Sequence, residues 1–233
     1  MHSNIFAILI ATSGICSAFV QQVKSPFHVN RNKVVYAKKS GDDVVQQHAF
    51  SAGTFVEFQE KKRSHLGKIT GVEHKGNGGA RYTVMDSEGK SFGIADKQIL
   101  YTMPCPTSPG QADKLYSDFC RTQDVPLSSI EEQLDITSDL LEMAWEEIAE
   151  DEGNKEHTLT SDSFVELVLS HVASSMENYL AWKLLRSDMS HVFFKEIKDH
   201  GRVVAFKAKT KKAVEAAKDT FCRTHEDADI CYV

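Results

Sequence analysis

Residues 192–206 read Val-Phe-Phe-Lys-Glu-Ile-Lys-Asp-His-Gly-Arg-Val-Val-Ala-Phe, and the fold of the second half of the chain follows from them. Two short apolar segments flank an Asp-His-Gly turn, which predicts a β-hairpin. Three helices are predicted before it: one over 138–151, one capped by Thr160, and one that opens with a capping box at 174–177. Three helices followed by a hairpin are typical of a winged helix with the hairpin as its wing. We predict this domain over residues 136–222.

The segment 53–103 has a different pattern, in which short alternating stretches are separated by turns. One of these turns, Asp-Ser-Glu-Gly at 86–89, has the composition of a hairpin loop. Five such strands predict a small closed β-barrel of the SH3-like kind. Three of the five prolines come directly afterwards, so we predict a Pro-rich and helical linker at 104–135. The predicted fold class is therefore α+β, a five-stranded SH3-like β-barrel followed by a winged-helix domain, with a tail at 223–233.

The net charge of −6 is unevenly distributed along the chain. Residues 102–162 carry fifteen acidic side chains and three basic ones, whereas residues 183–212 carry nine basic side chains and three acidic ones. This distribution argues against a protein that coats nucleic acid uniformly, and it leaves one local basic patch to interpret. The acids between 131 and 156 lack the convergent spacing of a metal site, and we interpret them as a solvated helix face.

The basic patch falls on the C-terminal end of the third predicted helix, on the hairpin, and on the start of a last helix that Thr210 is predicted to cap. Helix-turn-helix modules present these parts to nucleic acid. The alternatives are a solvated surface and a protein-docking module. Aromatic side chains near the patch could stack on bases, but their spacing favours the core. The candidate RNA-binding residues are Lys183, Arg186, Lys195, Lys198, Arg202, Lys207, Lys209 and Lys211.

No sequence pattern indicates catalysis. The chain contains no recognisable nucleophile–base pair, phosphate-binding loop or cluster of metal ligands, and its five cysteines are widely spaced without a CxxC motif. We therefore predict no catalytic residue, no metal and no cofactor.

The first 45 residues have the composition of a targeting segment. Residues 1–18 contain an apolar run too short to span a bilayer, followed by small residues, which predicts a signal peptide. Residues 19–45 begin with a basic stretch that lacks acids, which predicts a disordered transit peptide. The sequence Cys-Ser-Ala-Phe at 16–19 resembles the cleavage motif of bipartite presequences that direct proteins into the secondary plastids of diatoms. The resemblance implies a mature protein in the plastid stroma, without a membrane partner; the alternative is secretion.

A second resemblance spans residues 53–222. Its most specific motif is Asp-Leu-Leu-Glu-Met-Ala-Trp-Glu-Glu at 139–147. Further matching residues of the winged domain are Leu159-Thr160, Val165-Glu166-Leu167, Tyr179, Leu184-Leu185, 191–194 and 213–217, and those of the barrel are 55–58, 86–89 and 98–101. With these residues the chain resembles the N-terminal region of the ribonuclease II/R exoribonucleases, in particular the cyanobacterial and chloroplast branch.

Members of that family degrade RNA processively from the 3′ end, in a large catalytic domain whose clustered aspartates hold Mg²⁺. No comparable run of aspartates occurs in this sequence, so no catalytic residue is carried over. The resemblance implies a non-catalytic, RNA-associated accessory module of such a nuclease, either a truncated gene product or a separate paralogue. Its expected partners are single-stranded RNA and a catalytic ribonuclease or other protein. The alternative is a protein interaction or spacer module that does not touch RNA.

Overall fold

A computed structural model describes residues 50–75, 79–151 and 156–225. The predicted signal peptide and transit peptide, and most of the predicted tail, lie outside these ranges and stay predictions. The described residues belong to one compact unit. None of their helices is long and apolar enough to cross a membrane.

Five antiparallel strands form the first sheet. They are β1 (Phe55–Glu60), β2 (Arg63–His74), β3 (Ala80–Met85), β4 (Ser91–Ala95) and β5 (Ile99–Met103). Their spatial order is β4-β3-β2-β1-β5, and a short 3₁₀ turn at Asp96–Gln98 connects the two edge strands. Phe58, Ile69 and Tyr82 are fully buried on the inner face. The five strands agree with the prediction, but β4 and β5 are not paired with each other, so the closed SH3-like barrel is not confirmed.

Helices make up most of the rest of the described chain. They are α1 (Pro109–Arg121), α2 (Leu127–Leu134), α3 (Ser138–Glu150), α4 (Ser161–Leu169), α5 (Ser175–Leu184), α6 (Ser190–Phe193) and α7 (Lys211–Thr224). A second, three-stranded antiparallel sheet consists of β6 (Thr158–Leu159), β7 (Phe194–Asp199) and β8 (Arg202–Ala208), in the order β6-β8-β7. The helices α3, α4 and α5 and the hairpin β7–β8 are those predicted for the winged helix.

Local side-chain caps fix the starts of two helices of the winged domain. The Thr160 side chain accepts from the backbone N–H of Ser163, and Ser174 and Glu177 form the reciprocal bonds of a capping box. Both predicted caps are thus confirmed. The predicted cap at Thr210 is wrong in its chemistry: Thr210 occupies the N-cap position of α7, but its side chain makes no capping bond.

The hairpin starts two residues later than predicted, because Val192 and Phe193 belong to α6. A serine network holds this extra helical turn against the end of α5. The hydroxyl of Ser190 donates to the carbonyl of Leu184 at 2.7 Å, and the backbone N–H of Ser190 donates to Ser187 Oγ at 3.1 Å. These serine side chains supply hydrogen bonds to backbone groups at the end of α5 and the start of α6. Val192 and Phe193 therefore belong to the helical turn and do not start the strand.

One apolar core joins the first sheet to the helical part. It includes Phe55 and Met103 of the sheet, Phe119 of α1, and Tyr179 and Leu184 of α5, all fully buried. The segment predicted as a linker therefore contributes core side chains through α1 and α2. The four aromatic residues near the basic patch are also at most 3% exposed, which confirms that they belong to the core: Trp182, Phe193, Phe194 and Phe206.

Candidate nucleic-acid interface

The centre of the predicted basic patch is a pair of lysines on the hairpin. Lys195 of β7 lies directly opposite Lys207 of β8, and both residues are exposed. Side chains alternate along a strand, so these two lysines share the solvent face while Phe194 and Phe206 point into the core. On the other side of β8, Thr158 of β6 pairs with Lys207.

Lys211 continues this surface at the start of α7, where the neighbouring Lys212 is exposed as well. The first turn of α7 contains no acidic residue. Cations at a helix N-terminus face the positive end of the helix dipole, which is electrostatically unfavourable unless an anion is nearby. Within the described ranges, no acidic side chain forms a salt bridge with Lys195, Lys207 or Lys211.

Two other predicted cations are paired with the carboxylate of Glu196, whose side chain is 15% exposed. It accepts from Arg186 Nε at 3.1 Å and from Lys198 Nζ at 2.7 Å, and His191 Nε2 lies 3.8 Å away. Although partial burial disfavours the charge of Glu196, the hydrogen bonds from Lys198 and Arg186 outweigh it and hold the pKa of this carboxyl below its usual value. The guanidinium of Arg186 also lies 4.3 Å from the Trp182 ring centre, a cation–π contact.

The ammonium groups of Lys183 and Lys209 are hydrogen-bonded to backbone carbonyls. Lys183 Nζ donates to the carbonyl of Thr122 at 2.8 Å, and Lys209 Nζ donates to that of His191. Burial lowers the pKa of both ammonium groups from the ordinary lysine value. These two lysines therefore tie helices and strands together.

Arg202 connects the wing to the first sheet. Its guanidinium lies 4.8 Å from the ring centre of Phe50, and one of its terminal nitrogens is 3.8 Å from Asp96 Oδ1. The side chain is 21% exposed. At the wing turn, Gly201 has a φ of +90°, and a Cβ built there would lie 3.6 Å from the carbonyl oxygen of Lys97. The wing tip is thus packed against the sheet.

The eight candidates therefore fall into three groups. Three are internal ties, two are paired with Glu196, and three are exposed at one surface without a salt bridge among the described residues. The internal ties are Lys183, Arg202 and Lys209; Arg186 and Lys198 are paired with Glu196; and the exposed residues are Lys195, Lys207 and Lys211. The sequence prediction did not include Lys212 among the candidates. Its position next to Lys211 in the same basic run could have indicated that it lies on this surface.

A shallow cleft of about 400 Å³ lies beside the lysine pair. Its lining residues are His191, Phe194, Lys195, Glu196, Lys198 and Lys209. Three lysines and one carboxylate line this cleft, so its local charge is positive. Nothing in the sequence had predicted His191 as a lining residue.

A larger groove of about 650 Å³ lies elsewhere on the helical part and is acidic. Its lining includes the carboxylates of Glu131, Glu132, Asp135 and Asp188, with Phe221 among its apolar side chains. Burial raises the pKa of Glu131. Part of the predicted acidic helix face is therefore the wall of a groove.

The third helix of the winged arrangement, α5, is partly buried. Tyr179, Leu180, Ala181, Trp182 and Leu184 are all at most 6% exposed. On this buried side the helix packs against α2 and β5. The expectation that the C-terminal end of α5 and the wing together face nucleic acid stays a prediction.

In the described ranges, no group of three or more His, Cys, Asp or Glu side chains could hold a metal ion.

The order of three helices and a hairpin defines the second half of the chain as a winged-helix domain. Residues 127–213 match the family model of the ribonuclease II winged helix domain. This similarity covers 87 of the 233 residues. The match starts at α2, ahead of the predicted boundary at residue 136, and includes all eight candidate cations. No curated protein matches the chain.

Proposed function

We propose that this chain is an RNA-associated accessory module that works beside a ribonuclease II-like 3′–5′ exoribonuclease in plastid RNA processing and turnover. The observation that carries the proposal is the match of residues 127–213 to the ribonuclease II winged helix domain. In this role the chain holds RNA or steers it toward a catalytic partner and does not itself hydrolyse it.

The exposed cations support direct RNA contact. Lys195, Lys207 and Lys211 lie on one surface of the matched domain, and their charges are available to phosphates. Contacts to phosphates supply most of the affinity of non-specific nucleic-acid binding and make that affinity depend on salt.

Filter binding of the full chain to single-stranded RNA, at a series of salt concentrations, tests the proposal. We expect log K to fall linearly with log salt, with a slope of about −0.7 for each phosphate contacted. Undetectable binding at low salt, or binding that does not change with salt, contradicts RNA association. Incubation of the same RNA with Mg²⁺ and the chain should leave its length unchanged on a denaturing gel.

A second candidate function is that of a protein interaction module, and the acidic groove favours it. Glu131, Glu132 and Asp135 line this groove together with apolar side chains, a combination suited to a basic, amphipathic partner. Charge reversal of Lys195 and Lys207 separates the two functions. Loss of RNA binding with retained capture of a ribonuclease supports the accessory role, whereas absence of RNA binding by the wild type together with capture of a protein partner supports the interaction module.

A further inference from the structure

The cross-strand pair Lys195–Lys207 is unfavourable in the isolated chain. Residues directly opposite each other in an antiparallel pair have Cβ atoms about 5 Å apart, and like charges at such positions are destabilising. Lys195 and Lys207 occupy this arrangement on the solvent face of the hairpin. Within the described part of the chain no carboxylate forms a salt bridge with either of them. An anion bound between the two ammonium groups would remove the repulsion.

The surroundings of the pair extend its positive surface in two directions. The cleft with Lys198 and Lys209 lies on the β7 side, and its single carboxylate, Glu196, is already paired with Arg186 and Lys198. In the other direction, the chain leaves β8 and enters α7 at two exposed lysines, Lys211 and Lys212. Lys198 is paired with Glu196 and Lys209 is bound to the carbonyl of His191, so a chain of phosphates meets exposed cations at the Lys195–Lys207 pair and again at Lys211 and Lys212.

The same face lacks the features that read bases or a duplex. The aromatic side chains of the hairpin, Phe194 and Phe206, are 1% exposed, so they offer no platform on which bases could stack. Five of the ten residues of α5 are buried, and Arg202 packs the wing tip against the first sheet. What is left exposed is a set of ammonium groups, which contact phosphates without regard to sequence.

We propose that the solvent face of the sheet β6-β8-β7, centred on Lys195 and Lys207, binds the phosphodiester backbone of single-stranded RNA without base preference. The inference rests on the proposed function and adds to it the place and the chemistry of the contact. The surface selects a flexible single strand, which can follow the sheet and the start of α7. A duplex is too stiff to follow the same path, so we expect it to bind more weakly.

The test compares the full chain with the double variant Lys195→Gln/Lys207→Gln. The matched control is Lys75→Gln/Lys114→Gln, which removes two positive charges from exposed positions on β2–β3 and α1. Fluorescence anisotropy with labelled oligouridine, oligoadenine and duplex RNA gives the affinities across a salt series. Thermal unfolding of each variant at low salt shows that it is folded, and loss of the lysine repulsion should raise the Tm of the double variant.

We expect the double variant to bind oligouridine at least tenfold more weakly than the wild type at low salt, with the slope of log K against log salt smaller by about 1.4 for two lost contacts. The control should stay within about twofold. Equal affinity for oligouridine and oligoadenine, and weaker binding of the duplex, support the inference. Unchanged binding by the double variant, or tighter binding of the duplex, overturns it and leaves RNA association intact. Absence of binding by the wild type overturns the proposed function as well.

Discussion

The hydroxyl of Tyr179 shows how a single buried contact ties the two halves of the chain together. It donates to Glu57 Oε2 at 2.7 Å, and Ser64 Oγ donates to the other oxygen of the same carboxylate at 2.5 Å. Glu57 is 7% exposed, so its carboxyl oxygens have little access to water and depend on these donors for hydrogen bonds. The partners Glu57 and Tyr179 are 122 positions apart in the sequence, and no local pattern predicts their contact.

We predict that Tyr179→Phe lowers the free energy of unfolding by about 1–3 kcal/mol, because it leaves a buried carboxylate without one of its donors. Urea unfolding monitored by circular dichroism measures the loss. Tyr101→Phe is the matched control, since Tyr101 packs against the same rings but has no hydrogen bond from its hydroxyl within the described residues. An equal loss in both variants would contradict the role given to the Glu57 contact.

At the scale of elements, the wing is held by a clamp around Arg202. The guanidinium contacts the ring of Phe50 and lies near Asp96, and the Phe50 ring also contacts the ring of Tyr82 at a centroid distance of 5.9 Å. Loss of this side chain should therefore loosen the wing before it affects the rest of the domain.

We predict that Arg202→Ala costs about 1–2 kcal/mol of stability and increases hydrogen exchange at the amides of residues 199–203, since it removes a cation–π contact and an ion pair in a mostly buried position. Lys207→Ala, an exposed position on the same strand, is the control and should leave exchange at the turn unchanged. Equal exchange in Arg202→Ala and the wild type would show that the wing is held by other contacts.

The elements that could be predicted from the sequence are those with a local physical cause. The caps at Thr160 and Ser174 and the hairpin around Gly201 depend on residues a few positions apart, and the structure contains all three. The sequence could not predict which cations of the basic patch are exposed, because several of their partners are distant in sequence. Arg202 pairs with Asp96, and Lys183 with Thr122. A count of charges does not distinguish such ties from exposed cations.

At the scale of the whole molecule, the first sheet and the helical part share one apolar cluster. Phe55 and Met103 of the first sheet belong to the same apolar cluster as Phe119, Tyr179 and Leu184. Burial of apolar surface at this junction contributes roughly 25 cal/mol per Å². The first sheet also has an apolar cluster of its own, which includes Val56, Phe58 and Val84, and the shared cluster connects the sheet to the helical part.

We predict that urea unfolds the chain in one cooperative transition, because neither half can bury its side of the junction alone. A fragment starting at residue 104 should show a lower midpoint and a broader transition than the full chain, measured by tryptophan fluorescence of Trp145 and Trp182. A fragment with the same midpoint and the same denaturant slope as the full chain would contradict the shared core. The exposed pair Lys195→Gln/Lys207→Gln serves as a control that keeps the junction intact.

The burial of α5 has a consequence for protein engineering. In winged-helix proteins whose third helix is exposed, new ligand preferences can be introduced by randomising that helix. Here Tyr179, Trp182 and Leu184 are buried, so most substitutions at these positions would disturb the core. A library randomised there would be enriched in sequences that fold like the wild type, whatever ligand is used for selection. A library meant to change what the domain recognises belongs on the outward positions of β7 and β8, where the side chains can vary without cost to the core.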